Sequence, residues 1–272
     1  MVTQANFVVY DSQGELDLRQ IADSGQCFRL KEYSGNKFIA VTGSHVVDIH
    51  RRGHTYIFWC SPEEFQAVWV PYFDLNTDYK AFKEQMRNDP FLCEALNESG
   101  GIRILRQDIW ETAVTFVISQ RNNIPRIAKS VEVLCEKFGT PLNEIGGKTI
   151  YAFPTPDQLL WPDLSIASLG YREPYIKELA KCGDDVWQQL PNQSDTQARK
   201  TLLAMKGVGE KVANCIMLFG LHRMNSYPRD VWVNRLIDDV YHGEFDPRKY
   251  DGFAGYVQQL QFYYYRKTAG RV

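Results

Sequence analysis

In the first hundred residues, apolar and polar positions alternate in short runs. Residues 6–10, 26–31, 37–41, 45–50 and 55–60 are rich in Phe, Val, Ile and Tyr, the types that suit a pleated, half-buried surface. Residues 34–36, 43–44 and 51–53 between them are turn material. This pattern predicts an antiparallel meander. Ser61-Pro62-Glu63-Glu64 then opens a helix, with a capping serine, proline at the first helical position and acids in the first turn.

From about residue 77 the period becomes helical. Asp108-x-x-Glu111 has the form of a capping box, opening a helix through Trp110, Ala113, Phe116 and Val117. A second helix starts near Pro125 and runs through Ile127, Val131 and Leu134 to Phe138, where Gly139 stops it. Thr155-Pro156 and Glu173-Pro174 mark further starts. Ser194 or Asp195 caps a helix reaching Met205, and others cover residues 210–221, 230–241 and 252–267. The fold class is α+β: an antiparallel sheet domain over residues 1–100, then a helical domain over 101–272.

Composition narrows the partners. With 272 residues and 44% hydrophobic positions, the chain can bury a core and is neither a disordered tail nor a membrane bundle. Its start lacks the charged flank and apolar stretch of a signal peptide. An intracellular protein, in the cytoplasm or nucleoid of a prokaryote, is expected, with no membrane partner. The net charge of −2 argues against a polycation. It hides an asymmetry: residues 1–100 hold 9 basic and 14 acidic side chains, residues 101–272 hold 22 and 19. Cys27, Cys60, Cys93, Cys135, Cys182 and Cys215 are widely spaced without a C-x-x-C. Reduced thiols are expected, and no iron–sulfur cluster or cysteine zinc site.

Leu203-Ala-Met-Lys-Gly207-Val-Gly209-Glu-Lys211-Val-Ala-Asn-Cys215 carries the chemistry. Two helices meet in a hairpin too tight for ordinary residues, hence Gly207 and Gly209. Unpaired N–H groups at the second helix's start, with its dipole, form an anion site suited to a DNA phosphate. A Gly-x-Gly alone reads far more readily as a plain helical turn. Here Pro228-x-Asp230 follows the apolar helix, with Asp230 at a new N-cap. This combination resembles the helix-hairpin-helix–Gly/Pro/Asp superfamily of DNA glycosylases. Ser24-Gly25-Gln26-Cys27-Phe28-Arg29, the run Gly101 to Asp108, Ser119-Gln-Arg-Asn122-Asn123-Ile-Pro-Arg126, and Leu169-Gly-Tyr171-Arg172 occur in that order. Together they are similar to the 8-oxoguanine DNA glycosylase family over nearly the whole chain.

That resemblance implies a TBP-like sheet domain before an all-α helix-hairpin-helix domain. It implies a bifunctional base-excision enzyme acting as a monomer on duplex DNA with 8-oxoguanine opposite cytosine. Lys211 would be the nucleophile that forms a Schiff base and nicks the strand by β-elimination. Asp230 would stabilise the oxocarbenium-like sugar. The Gly25 carbonyl would meet the lesion's N7–H, a donor that guanine lacks. Cys215 and Phe262 would wall the flipped base, and Gln258, one turn before Phe262, would pair with its edge. Arg121, Asn122, Asn123, Arg126, Tyr171 and Arg172 would fill the gap and meet the orphaned cytosine. Gly207, Val208, Gly209 and Trp232 would contact phosphates.

The resemblance implies no required cofactor. The carbonyls of Leu203, Met205 and Val208 match positions that can hold an optional monovalent or calcium ion. Arg121 stands where the animal enzymes carry a third consecutive asparagine, Gln120 replaces a smaller residue, Trp232 stands where many relatives have a histidine, and Lys206 replaces the usual proline. The endonuclease III and adenine-mismatch branches carry a four-cysteine cluster that this chain lacks beyond Cys215. Alkylation-repair relatives lack the hairpin lysine. A non-catalytic DNA-binding module would need neither Lys211 nor Asp230.

Overall fold

In chain order, the elements that position the candidate residues are β1 (Val8–Asp11), α1 (Leu18–Asp23), β2 (Leu30–Ser34), β3 (Lys37–Thr42), β4 (His45–Arg52), β5 (Thr55–Phe58), α2 (Pro90–Ser99), α3 (Ile109–Ile118), α4 (Ile124–Phe138), β6 (Pro141–Ile145), β7 (Lys148–Tyr151), α5 (Glu173–Ala180), α6 (Asp195–Leu203), α7 (Glu210–Cys215), α8 (Val231–Tyr241) and α9 (Ala254–Thr268). They come from a computed structural model that describes residues 6–269. Two compact units result. The first takes the described residues of Met1–Val41, His45–Arg106 and Arg229–Val272, and the second takes Thr42–Ser44 and Gln107–Pro228. Local periodicity placed a single boundary at residue 100. The compact units divide the chain differently, because α9 packs on α2 and α8 and so belongs with the sheet.

The sheet is antiparallel in the order β1-β5-β4-β3-β2. Alternation explains its inner face: Phe38 and Ala40, Val47 and Ile49, Tyr56 and Phe58 are buried at every second position. Phe65, Trp69 and Phe73 cover them, with the Phe58 and Phe65 rings 4.9 Å apart at 67°. β4 and β5 close over Gly53, at φ +64°. Residues 26–29, expected in a strand, are instead bent, and β2 begins at Leu30. The helix α1 was not anticipated. It has six residues capped by Asp17, and its buried pair Leu18 and Ile21 is too short a pattern to show a period.

An extended stretch, residues 101–106, runs through this unit without joining the sheet. Ile102, Ile104 and Leu105 are fully buried, so its backbone groups need partners. Side chains supply several of them. Gln26 Nε2 donates to Arg103 O at 3.0 Å, while Leu105 N donates to Gln26 Oε1 at 2.9 Å. Ile104 N donates to the Tyr79 hydroxyl at 3.0 Å, and Gly101 N to Gln20 Oε1 at 3.1 Å. Burial, reinforced by Asp74, pushes the Tyr79 hydroxyl well above its ordinary pKa. It therefore remains a donor to Asp74 Oδ2 at 3.0 Å. Arg103 donates through Nη2 to Asp74 O and Thr77 O, both at 2.6 Å, and stacks 4.1 Å over the Tyr79 ring.

In the second unit, α3 is buried at nine of its ten positions. It is a central helix rather than an amphipathic one. Asp108 caps it through Glu111 N at 2.8 Å, and Phe116 stacks on Phe219 at 5.4 Å and 15°. α7 continues as a π-helical turn, Ile216–Gly220. A Cβ on Gly220 would lie 3.3 Å from the Ile109 backbone, so glycine permits this close approach. The β6–β7 hairpin was not anticipated. Its strands are mostly exposed, and its turn uses Gly146 and Gly147 at φ +61° and +74°.

Arg103→Met keeps a similar length but strands buried carbonyls. Urea unfolding is expected to show a loss of at least about 3 kcal/mol, since each unpaired buried acceptor costs roughly 1–3 kcal/mol. A loss under about 1 kcal/mol would show that water satisfies these carbonyls.

Candidate active site

The second unit holds the hairpin and the candidates around it. Ser194, not Asp195, caps α6, in a reciprocal capping box with Gln197. The chain turns through Gly207 at φ +90°, where a Cβ would lie 2.6 Å from Tyr175 Cβ. Only glycine fits there. Gly209 differs: its φ is −95° and a Cβ would meet open space. It stands at the N-cap of α7 without a side-chain cap, so the helix's first N–H groups stay available to an outside acceptor.

Lys211 lies in the first turn of α7, with Cys215 one turn on along the same face. The lysine Nζ donates to Ser119 Oγ at 2.9 Å, and Ser119 Oγ donates in turn to Phe116 O at 2.7 Å. The serine proton is therefore committed to the carbonyl, which leaves its lone pairs to face the lysine. Nζ also lies 4.7 Å from the Phe116 ring centroid. The amine is held between a hydroxyl and an aromatic face at the end of a buried helix.

Beside it, the loop after α3 is tied down by arginine. Arg172 Nε donates to Gln120 O at 2.9 Å, and its Nη2 donates to Gln120 O and, at 3.1 Å, to Arg121 O. The Tyr171 hydroxyl reaches Gln120 O at 3.2 Å. Gln120 Nε2 donates to Gly207 O at 2.9 Å, joining loop and hairpin. Asn123 caps α4 through Arg126 N at 3.0 Å. Asn122 donates to Ile118 O at 3.1 Å and accepts from Asn123 N at 3.0 Å. Arg121 is left exposed at φ +46°, a left-handed conformation that costs a non-glycine residue about 1–2 kcal/mol.

The first unit carries the other candidates. Asp230 Oδ1 accepts from Val233 N at 2.9 Å and caps α8. Trp232, in the next turn, is partly exposed beside Arg235 and Tyr265. On α9, Gln258 is 5% exposed, and its Oε1 has no hydrogen-bond partner among the described residues. A buried acceptor without a donor is costly, and such groups concentrate where a ligand completes them. Arg266 lies 5.2 Å over the Phe262 ring and donates to Asp23 O. Burial holds its guanidinium below the usual arginine pKa, against the opposing pull of Tyr263, Asp23 and Asp230. Gly25, at φ +77°, follows Asp23 by two residues.

Comparison with known proteins places this arrangement. Residues 8–113 match the N-terminal domain of 8-oxoguanine DNA glycosylase. A solved Clostridium acetobutylicum 8-oxoguanine glycosylase/lyase, bound to DNA with cytosine opposite 8-oxoguanine, is 31% identical. The match covers 98% of this chain and 97% of that one, with a TM-score of 0.89. The chain belongs to the 8-oxoguanine DNA glycosylase family. The Arabidopsis thaliana N-glycosylase/DNA lyase OGG1 is 28% identical over 91% of this chain and 77% of its own length. The corresponding enzyme of Saccharomyces cerevisiae is 29% identical over 85% and 69%.

Within the second unit, Gln120 links the hairpin at Gly207 to the Tyr171–Arg172 segment, while Lys211 meets Ser119 at the start of the same loop. Within the first unit the structure places Asp230, Phe262 and Gln258 on or against α8 and α9. Sequence reasoning did not single out Ser119 or Phe116, which hold the Lys211 amine, or Arg266, which packs on Phe262. Ser119 opens the quoted Ser119-Gln-Arg-Asn122 motif, and that position was the available signal. The others look like ordinary core or surface residues until the helices are assembled.

The two hairpin glycines separate in substitution. Gly207→Ala is expected to lose more than about 2 kcal/mol from left-handed strain and the Tyr175 clash. Gly209→Ala is expected to lose about 1 kcal/mol or less, the cost of alanine at an N-cap. Thermal unfolding of both variants checks this, and equal losses would contradict the geometry.

Proposed function

We propose that this chain is a bifunctional DNA glycosylase/lyase that excises 8-oxoguanine from duplex DNA opposite cytosine and nicks the strand. The placement of the Lys211 amine, between Ser119 Oγ and the Phe116 ring at the mouth of the hairpin helix, carries this reading. Lysine nitrogen, once deprotonated, attacks C1′ of the deoxyribose. The C1′–N9 bond breaks, its electrons leave with the base, and a proton joins the base. The nitrogen gives up one of its two protons, the C1′–O4′ bond breaks with O4′ taking a proton, and a protonated imine to C1′ results. That cationic imine acidifies the 2′ C–H. Removal of that proton expels the 3′ phosphate as the C3′–O bond breaks.

Asp230 stabilises the positive charge that develops on the sugar, and its capping bond to Val233 restrains it beforehand. Gly25, Gln258, Phe262 and Cys215 receive the base, with the open Gln258 Oε1 accepting from its Watson–Crick edge. The first-turn N–H groups at Gly209 take a phosphate. The Leu203, Met205 and Val208 carbonyls are the proposed holders of an optional structural monovalent or calcium ion. Met205 O accepts from Val208 N at 3.1 Å and keeps a second lone pair. No step passes through that ion. Among the described residues, no helix is long and apolar enough to cross a membrane. We place the protein with its DNA, inside a prokaryotic cell.

Borohydride reduction in the presence of duplex containing 8-oxoguanine is expected to trap a covalent complex, and Lys211→Gln to abolish it. Equal trapping by the variant would remove Lys211 from the nucleophile's role.

Opposite-base preference has its own signature. Asn122, Asn123 and Arg172 bond local backbone, while Arg121 and Arg126 are exposed, so these two arginines are the side chains left to meet the orphaned base. Excision with cytosine, adenine, guanine or thymine opposite the lesion is expected to change its cytosine preference about tenfold in Arg121→Asn. An unchanged ratio would show that position 121 does not set it.

A further inference from the structure

If the Gly25 carbonyl tells the lesion from guanine, its direction must be fixed within about 0.5 Å and 10–20°. Glycine is the residue least able to fix itself, and Gly25 sits at φ +77° in a segment with no strand or helix of its own. The clamp comes from both sides. Ser24, immediately before it, is completely buried. Its hydroxyl donates to Ile21 O at 2.7 Å and accepts from Gln26 Nε2 at 3.1 Å. Ser24 O accepts from Gln259 Nε2 at 2.8 Å. Gln26, immediately after, is also completely buried and pairs with Arg103 O and Leu105 N. Gln259 is 2% exposed. It neighbours Gln258 on α9, so one helical turn carries both an edge-pairing amide and an amide that fixes the glycine's approach.

We propose that Gln259, with Gln26, is a positioning residue for lesion discrimination. It holds the Ser24–Gly25 peptide so that the Gly25 carbonyl is aimed before the base arrives. The proposal rests on the function given above. Gln259 touches no reacting atom. Its effect is preorganisation: without its N–H the glycine samples other peptide orientations, and the carbonyl loses its selectivity for an N7–H.

An abasic site separates this role from a general structural one, since it offers no base to the glycine. Gln259→Met keeps the volume and removes the donor. Excision of 8-oxoguanine opposite cytosine is expected to fall on the order of tenfold, the equivalent of one lost hydrogen bond. The ratio of 8-oxoguanine to guanine excision should fall with it, while nicking of a preformed abasic site changes less than about twofold. Gln259→Leu provides a second variant of similar size, and the melting temperature shows which of the two remains folded. Parallel loss of excision and abasic nicking in a folded variant would overturn the proposal, as would unchanged excision. A parent protein that nicks abasic DNA but leaves 8-oxoguanine in place would instead overturn the functional reading, and the clamp with it.

Discussion

The need to satisfy a buried backbone that belongs to no sheet organises the first unit. Residues 101–106 cross its interior among fully buried isoleucines and leucine. Gln20, Gln26 and Tyr79 pair its N–H and C=O groups, as a neighbouring strand otherwise would. Side-chain amides suit this because each offers a donor and an acceptor together. The cost is that Gln26 is no longer free to adopt strand geometry, and residues 26–29 bend where their composition favours β-structure. That bend delivers Gly25. The turn that would read the lesion is thus a by-product of how an unrelated segment satisfies its hydrogen bonds.

The second unit rests on arginine in a similar way. Arg172 spends donors on the carbonyls of Leu169, Gln120 and Arg121, and Gln120 returns a bond to the hairpin at Gly207. A guanidinium suits the task because its planar fork meets several carbonyls at once. Arg172, which the family resemblance assigns to the orphaned cytosine, also supports the backbone on which Arg121 stands. Arg121, left at positive φ above that support, is the exposed cation of the loop. The local excess of basic residues beyond position 100 therefore divides into structural and displayed members, which a net charge of −2 conceals.

Much of this was legible in the sequence where local chemistry decides. The meander followed from alternation, the helix starts from Ser61, Asp108, Pro125, Thr155 and Ser194, and the hairpin from its glycines. Gly207 shows why that reading works: its backbone and the Tyr175 ring leave no room for a side chain. Gly209 looked equivalent and is not, because its constraint is an absent cap rather than a forbidden conformation. Three features were out of reach. The helix α1 has too few turns to show a period. The β6–β7 hairpin has too little burial to show alternation. The grouping of α8 and α9 with the sheet joins segments more than a hundred residues apart, and no local pattern encodes that pairing. The partners of Gly25 share the last difficulty, since Ser24 and Gln259 meet only after the chain has closed.

The discontinuous first unit has a consequence for how the protein is made. Residues 107–228 form one uninterrupted stretch with its own buried helix, which can condense as soon as it leaves the ribosome. The sheet emerges first, yet its unit stays incomplete until α8 and α9 follow. The lysine's scaffold is thus finished before the surface that would recognise the base. A nascent chain would hold an organised amine without a completed recognition surface, and translation order itself would delay any reaction with DNA until α9 docks.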